Sequence, residues 1–514
     1  MSTSIGQRTV KNAAYGFVSY LWPIILGFVL TPIVIHKLGI ASYGVYVLFL
    51  TVISFFSLFN FGFTYTFTRE LAASGHEKND SHQRLRKIFG ATLVVFMAVG
   101  VLAFIAGIVL MYIGPGMFNI DPGHLATAQL GFLLVGAVGL VNSMTLVYSH
   151  IPFALQRQDI GTNIILADIT LTNLAIILLL WNGYGVASLI FVQLISGIAE
   201  LVVLYILSRR LVPWLTPDFT ADRALYKTMG TAGGYLYLHN LSSTFLANLD
   251  RLIISVMVGP SVLTYYSVPN SVTEKIQGTI TSLSGILFPL SSQLVQNGEH
   301  QKLQQLYRRA MTAIILLATA ISISLAVLGA KVLLYWVGPE IAAQSTALLA
   351  WLIPTYFLLA IYMPLTNFLG GLGKTKFLAG ASAGMALLNI VLLIILLPRY
   401  GILGAAIAYF FSLLPVMYII HRMERDHLGI TGSRTFYGAL CGKLLTTAIV
   451  FLGIVMPLSA LFIHGLISVV IGGPLAVLFF IALYKLFGFF APEDWNVMRE
   501  VGRAFLRKLM ILRA

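Results

Sequence analysis

Apolar segments long enough to cross a bilayer follow one another along this 514-residue chain, with almost no soluble sequence between them. A hydrocarbon core about 30 Å thick takes about 20 apolar residues of helix. Lipid tolerates only helices and closed barrels, because each backbone N–H and C=O must find a partner inside the protein. Segments 11–36, 43–72, 88–113, 125–155, 160–181 and 186–208 meet the requirement. So do 229–258, 264–293, 310–337, 346–371, 377–398 and 401–421. Two more, 436–462 and 465–487, bring the expectation to about 14 transmembrane helices in an all-α polytopic membrane protein. Only 10% of the residues are charged, against roughly a quarter in soluble domains.

The formal net charge of +14 would suggest a nucleic-acid partner in a soluble protein, but the positions of the basic residues carry another meaning. Only Lys37, Lys331 and Arg399 fall at one face, and Arg251 and Lys275 fall within spans. The other Lys and Arg, in clusters such as Arg84, Arg86, Lys87 and Arg209, Arg210 and Lys302, Arg308, Arg309, share the opposite face. Cytoplasmic loops carry such an excess. The expectation is a multi-pass protein of the bacterial cytoplasmic (inner) membrane with both termini inside and no nucleic acid as partner. The first apolar segment is too long for a cleavable signal peptide. The lone Cys441 excludes an intramolecular disulfide and a thiolate metal cage. The run Gly370-Gly371-Leu372-Gly373-Lys374 lacks the phosphate-loop spacing and joins two apolar helices, so it reads as a tight turn and no cofactor is expected.

The two halves of the chain echo each other. Gly39 and Tyr46 recur as Gly259 and Tyr266, Gln156-Arg157 as Gly373-Lys374, and Tyr184-Gly185-Val186 as Tyr400-Gly401-Ile402. A unit with an even number of helices repeats in the same orientation. Two six-helix lobes, 1–210 and 211–425, are therefore expected around an axis along the membrane normal, with a cavity between them. Residues 426–490 hold two additional helices. The tail, 491–514, places Arg499, Arg503 and Arg507 opposite Trp495, Met498, Phe505 and Leu509, an amphipathic pattern suited to an anionic inner leaflet.

Polar residues at membrane depth mark the candidate sites. Asn240, Thr244, Asn248, Arg251 and Ser255 form one stripe, and Asn270, Glu274, Gln277, Thr281 and Ser284 another, each at helical spacing. Ser57, Asn60, Thr64 and Thr68 form a milder one. A lipid-facing charge costs about 3 kcal/mol even on permissive scales, so these faces should line water or protein. Asp250-Arg251 and Glu274-Lys275 are expected at similar depth on either side of one turn. Two readings follow: they pair with each other across the hairpin, or Arg251 or Lys275 offers its charge to an anion. A guanidinium fork suits phosphate oxygens. Asp168 and Glu200 form a second matched couple, read either as an ion-coupling pair of carboxylates in low dielectric or as groups bonded to neighbouring Asn and Thr.

The chain resembles the prokaryotic polysaccharide flippases, which move lipid-linked O-antigen and exopolysaccharide units. These share a superfamily with the multidrug-and-toxin extrusion (MATE) transporters and the lipid II flippase. The resemblance rests on Pro32 through Gly39 with Tyr43-Gly44-Val45-Tyr46, on Phe61-Gly62 and Arg69-Glu70, on Asn248-Leu249-Asp250-Arg251 with Gly259 and Tyr265-Tyr266, and on Tyr400-Gly401-Ile402-Leu403-Gly404-Ala405-Ala406. It implies a MATE-like two-lobe arrangement of two six-helix bundles plus two C-terminal helices. It further implies a carrier rather than an enzyme, moving undecaprenyl pyrophosphate that bears a short oligosaccharide. Membrane lipids, a polysaccharide polymerase and chain-length proteins are the implied partners, and the monomer the implied unit. Arg251, Lys275, Asn240, Asn248, Asp250, Asn270, Glu274, Gln277 and Asn60 are the expected substrate-binding residues, and Asp168 and Glu200 the expected coupling pair.

An ion-coupled small-molecule or multidrug antiporter of the same fold would rely on Asp168 or Glu200, and a lipid II-type flippase would share the fourteen spans. A polymerase or ligase needs a large external loop, for which the short external connections leave little room. A major-facilitator carrier would carry a Gly-rich basic signature that 74–87 lacks.

Overall fold

The computed structural model describes residues 2–56, 58, 63–73, 79–232, 234–430 and 432–489, with side chains of the first helix from Tyr20 onward. All the regular elements described are helical. The first run is α1 (Ser2–Leu38), α2 (Ile40–Phe56), α3 (Phe63–Ala73), α4 (Asn79–Met117), α5 (Leu125–Ala154), α6 (Gln158–Trp181) and α7 (Val186–Leu211). A connecting segment with the short α8 (Arg223–Ala232) leads to α9 (Gly234–Met257), α10 (Pro260–Ser284), α11 (Leu287–Gln296) and α12 (His300–Val337). Then come α13 (Pro339–Gly371), α14 (Thr375–Ser412), α15 (Pro415–Arg422), α16 (Ser433–Phe462) and α17 (Leu466–Leu486).

Among the described residues, 10 helices are long and apolar enough to cross a membrane, and Ile40–Phe56 is a shorter apolar one. The gap to the expected fourteen has local causes. Thr375–His427 counts as one span although Gly401, at φ +58° and ψ −146°, breaks the helix where two spans were expected. Helices α9 and α10 fall outside the ten; both carry the polar stripes that dilute their hydropathy. The proposed amphipathic tail lies outside the described residues.

Three pairs of positions fit the expected repeat, whereas Gly185, at φ −90°, and Gly401, at φ +58°, do not share a conformation. Left-handed residues occur at Gly39 and Gly259, at Asn119 and Gly338, and at Gln156 and Gly373. Each pair closes a corresponding helix–helix turn, and glycine tolerates that conformation best because it has no Cβ. The Gly373 turn follows α13, as the tight-turn reading of that Gly-rich run expected. In packing, α5 lies against both α4 and α7, and α6 lies along α1. Likewise α10 packs on α13, α12 on α13, and α9 on α14, while α17 docks along α12.

The helices before α8 and those after it meet firmly at the end carrying the Gly39 and Gly259 turns. Gly44 abuts Pro260 so closely that a Cβ would collide with the Pro260 carbonyl. The Thr264 hydroxyl donates to the Ile40 carbonyl at 2.7 Å, and the Asn119 amide donates to that of Val256 at 2.7 Å. Trp336 stacks on Phe28 and its indole N–H donates to the Phe28 carbonyl at 2.7 Å. The seam continues deeper through Tyr20, whose hydroxyl meets Thr279 at 3.2 Å, and through the edge-to-face pair Phe55–Phe245. Towards the opposite, basic end, α3, α4 and α5 instead build a separate core with the connecting segment, around Phe67, Phe89, Val147, Val212 and Met229.

Candidate functional site

Position along α9 and α10 decides how wet each polar residue is. On α9, Ser255 is fully buried, Arg251, Asn248 and Thr244 are half-buried, and Asn240 is exposed. On α10, Asn270 is fully buried, Gln277 half-buried, and Glu274 and Thr281 exposed. Exposure rises with distance from the Gly259 turn along α9, whereas on α10 it alternates beyond Asn270 and ends at Ser284, which is buried against Asn367 of α13. The stripes are thus dry near the turn end and partly exposed towards the basic end.

At the dry end the hydrogen bonding is specific. Asp250 is buried (1% exposed). One of its oxygens accepts the Tyr266 hydroxyl, and the other accepts the Arg251 backbone N–H at 2.8 Å. Asn270 accepts the Tyr356 hydroxyl at 2.9 Å, while its own amide nitrogen is buried without a partner. Tyr356 packs edge-to-face on Tyr409.

Arg251 sits in this aromatic wall in an unusual state. Its Nε is buried and has no hydrogen-bond acceptor, and no ion pair forms at Arg251 or Lys275 among the described residues. The expected pairing between Asp250-Arg251 and Glu274-Lys275 does not occur. Its premise of equal depth fails because α10 begins at Pro260. Counted from the turn, Glu274 then lies roughly 10 Å deeper than Arg251, at about 1.5 Å per residue. Glu274 and Tyr43 of α2 remain within electrostatic reach of the guanidinium, so the site draws on helices from both runs.

The other expected residues are placed as follows. Asn248 donates to the Thr244 carbonyl at 3.3 Å. Lys275 is half-buried, on the turn of α10 that Tyr20 contacts. Asn60 lies outside the described residues. Asp168 and Glu200 are not at this site. They lie in a cleft of about 780 Å³ between α6 and α7, walled by Leu171, Leu178, Phe191 and Val203, which are exposed. There the Thr172 hydroxyl donates to Ser196 at 2.5 Å, and Ser196 donates to Asp168. Asp168 therefore bonds a serine rather than the Asn or Thr neighbours expected. Arg69 and Glu70 pair with each other at 2.9 Å, as surface groups do.

The sequence pattern assigned no site role to Tyr266, Tyr356 or Tyr409. A signal existed for the first: Tyr266 repeats Tyr46, and Tyr46 in turn accepts the Gln193 side-chain amide at 3.2 Å. In both halves that tyrosine holds a polar residue of a neighbouring helix.

The comparisons agree with this architecture. The family model for polysaccharide biosynthesis proteins matches residues 9–295, more than half the chain, and the MatE model matches residues 236–395. The chain belongs to the polysaccharide biosynthesis protein family, within the transporter superfamily that also holds MATE. It is 24% identical over 418 residues to a putative O-antigen transporter of Shigella flexneri, covering 78% of this chain and 94% of that protein. Among solved structures, the lipid II flippase MurJ in an inward closed conformation superposes with TM-score 0.66 at 15% identity, covering 91% of this chain and 98% of that one. An inward-facing MATE-family multidrug transporter gives TM-score 0.60 at 14% identity, covering 81% and 96%. These similarities establish an all-α polytopic membrane fold.

Proposed function

We propose that the protein is a flippase carrying an undecaprenyl-pyrophosphate-linked oligosaccharide, an O-antigen or exopolysaccharide unit, from the cytoplasmic to the outer face of the inner membrane. The observation that carries this reading is the unpaired Arg251. Its neighbouring acid is already occupied by Tyr266, and its Nε is buried without an acceptor. A buried donor left without an acceptor is costly, and an arriving pyrophosphate would supply the missing acceptor through charge-assisted hydrogen bonds. Asn240, Asn248, Gln277 and Glu274 along the opening stripes would meet the sugar hydroxyls, while Asp250 and Asn270 stiffen the wall behind. The O-antigen transporter relative supports the substrate class.

With the basic end in the cytoplasm, as the distribution of Lys and Arg favours, the closed Gly44–Pro260 contact shuts the outer side and the exposed parts of the stripes face inward. The monomer would alternate by opening this contact and closing the basic end. Asp168 and Glu200, in their own cleft, would then couple ion movement to the cycle.

The test is surface polysaccharide in a strain depending on this protein. Arg251→Ala should cut it more than about tenfold, the scale of lost hydrogen bonds to a charged group, and Lys275→Ala less, because an ammonium lacks the planar fork of the guanidinium. Full glycan output from both variants, singly and combined, with the protein inserted at normal levels, would overturn the proposal.

A further inference from the structure

A groove of about 930 Å³ lies at the basic end of the bundle, away from the α1–α10 seam, where the first turns of α14 meet α15 and the start of α9. Its mouth carries Lys374 and Lys376, and its rim carries Tyr235 and Tyr418. Both tyrosines expose more than half of their surface. Neither lysine has an ion pair among the described residues. The floor is formed by Gly380 and Gly384, one helical turn apart, and a Cβ built on either would meet nothing within 4 Å.

This combination points to a ligand with an anionic head and an apolar chain. From Lys374 to Gly384 the helix rises about 15 Å, half of a hydrocarbon core of about 30 Å, so the groove spans one leaflet. Free cations at the mouth complement a phosphate, and tyrosines at the rim sit where aromatic residues meet headgroups. The glycines keep the floor of the groove free of side chains, open to an acyl chain. Behind the floor, Ser382 on the buried face of α14 bonds both His239 of α9, at 2.5 Å, and Tyr362 of α13, at 2.8 Å. A chain seated in the groove would brace the α9–α14 seam, and α9 carries Arg251.

We infer that this groove binds an anionic phospholipid of the basic-side leaflet, its phosphate on Lys374 and Lys376 and one acyl chain along Gly380 and Gly384. The inference stands independently of the transported substrate.

The test uses the full-length protein in detergent, with phosphatidylglycerol, phosphatidylcholine or undecaprenyl phosphate added, read by thermal unfolding and by lipid retained in native mass spectrometry. Phosphatidylglycerol should raise the melting temperature with its concentration, as a ligand of the folded state does, and phosphatidylcholine should raise it far less. Lys374→Gln and Lys376→Gln should each weaken the response about fivefold, the share of one basic residue near a lipid surface. The pair Gly380→Leu and Gly384→Leu should abolish it by filling the channel. That variant should melt no lower than the parent without lipid, since leucine favours helix over glycine. An unchanged phosphatidylglycerol response in both sets of variants would overturn the inference, as would equal stabilisation by phosphatidylcholine. So would a response to undecaprenyl phosphate alone that these variants remove, because the groove would then belong to the carrier lipid.

Discussion

The α9–α10 cluster and the α6–α7 cluster drew attention for the same reason, ionisable residues at membrane depth, yet the fold treats them in opposite ways. On α9 the acid is satisfied and the base is not: Asp250 has Tyr266 and a backbone N–H, while Arg251 keeps an unpaired Nε. Between α6 and α7 there is acid without base. Asp168 is held by Ser196 and, through it, Thr172, and Glu200 stands on the next helix in the same cleft. One cluster is walled by tyrosines from α10, α13 and α14 and joined to α2; the other opens through apolar side chains. Pairing a buried acid with a hydroxyl rather than a neighbouring cation keeps the cation available, whereas grouping acids without a cation makes a place for a proton or metal cation. On the proposed function, the first cluster would face an anion and the second a cation.

Neutral substitutions of similar size make that comparison testable. Arg251→Gln should have the largest effect, a fall in surface glycan of more than about tenfold, with Arg251→Lys in between because lysine keeps the charge but loses the planar fork. If Lys restored full output, bidentate recognition would be excluded and only charge would matter. Tyr266→Phe should come next. It strips the buried Asp250 of its hydroxyl donor, a loss of about 1–3 kcal/mol, and frees the carboxylate to turn towards Arg251. Export should fall about tenfold and the melting temperature should drop; Tyr266→Phe with normal export would show that Asp250 does not compete for the arginine.

Glu200→Gln probes the other side. If the α6–α7 carboxylates couple ion movement to transport, their neutralisation should reduce export about fivefold, the low end of typical coupling energies. It should also abolish the response of export to a collapsed proton or sodium gradient. Parallel loss in Arg251→Gln and Glu200→Gln, with no difference in gradient response, would erase the distinction between the clusters.

How much of this was legible in the chain depends on the range of the interaction. Spacing along one helix is local, so the stripes on α9 and α10 could be read directly, and the repeat could be read from Gly39 and Gly259. Relative depth was misjudged because the start of α10 was placed after Gly259-Pro260, although proline at the first helical position is a start signal. That signal sets Glu274 deeper than Arg251, counted from the turn. The tyrosine partners depend on which helices meet, and a tyrosine in an apolar run looks the same whether it anchors at an interface or bonds a buried acid. The left-handed pair Asn119 and Gly338 was hidden because the two positions carry different residues, and only backbone geometry equates them.

The smallest expected effect distinguishes structure from coupling within the α6–α7 cleft. Ser196→Ala removes the hydroxyl that links Thr172 to Asp168 and leaves both carboxylates in place. A single neutral hydrogen bond is worth about 0.5–1.5 kcal/mol, so export should fall only about twofold while its dependence on the ion gradient persists. A purely structural cleft predicts the reverse order of severity. There, Ser196→Ala would lower stability as much as Glu200→Gln or more, because it breaks the network between the two helices, and the gradient response would be the same in both variants. Melting temperatures and gradient-dependent export, measured together on this pair, therefore decide whether the two acids on α6 and α7 do work in the transport cycle or serve only to join two helices.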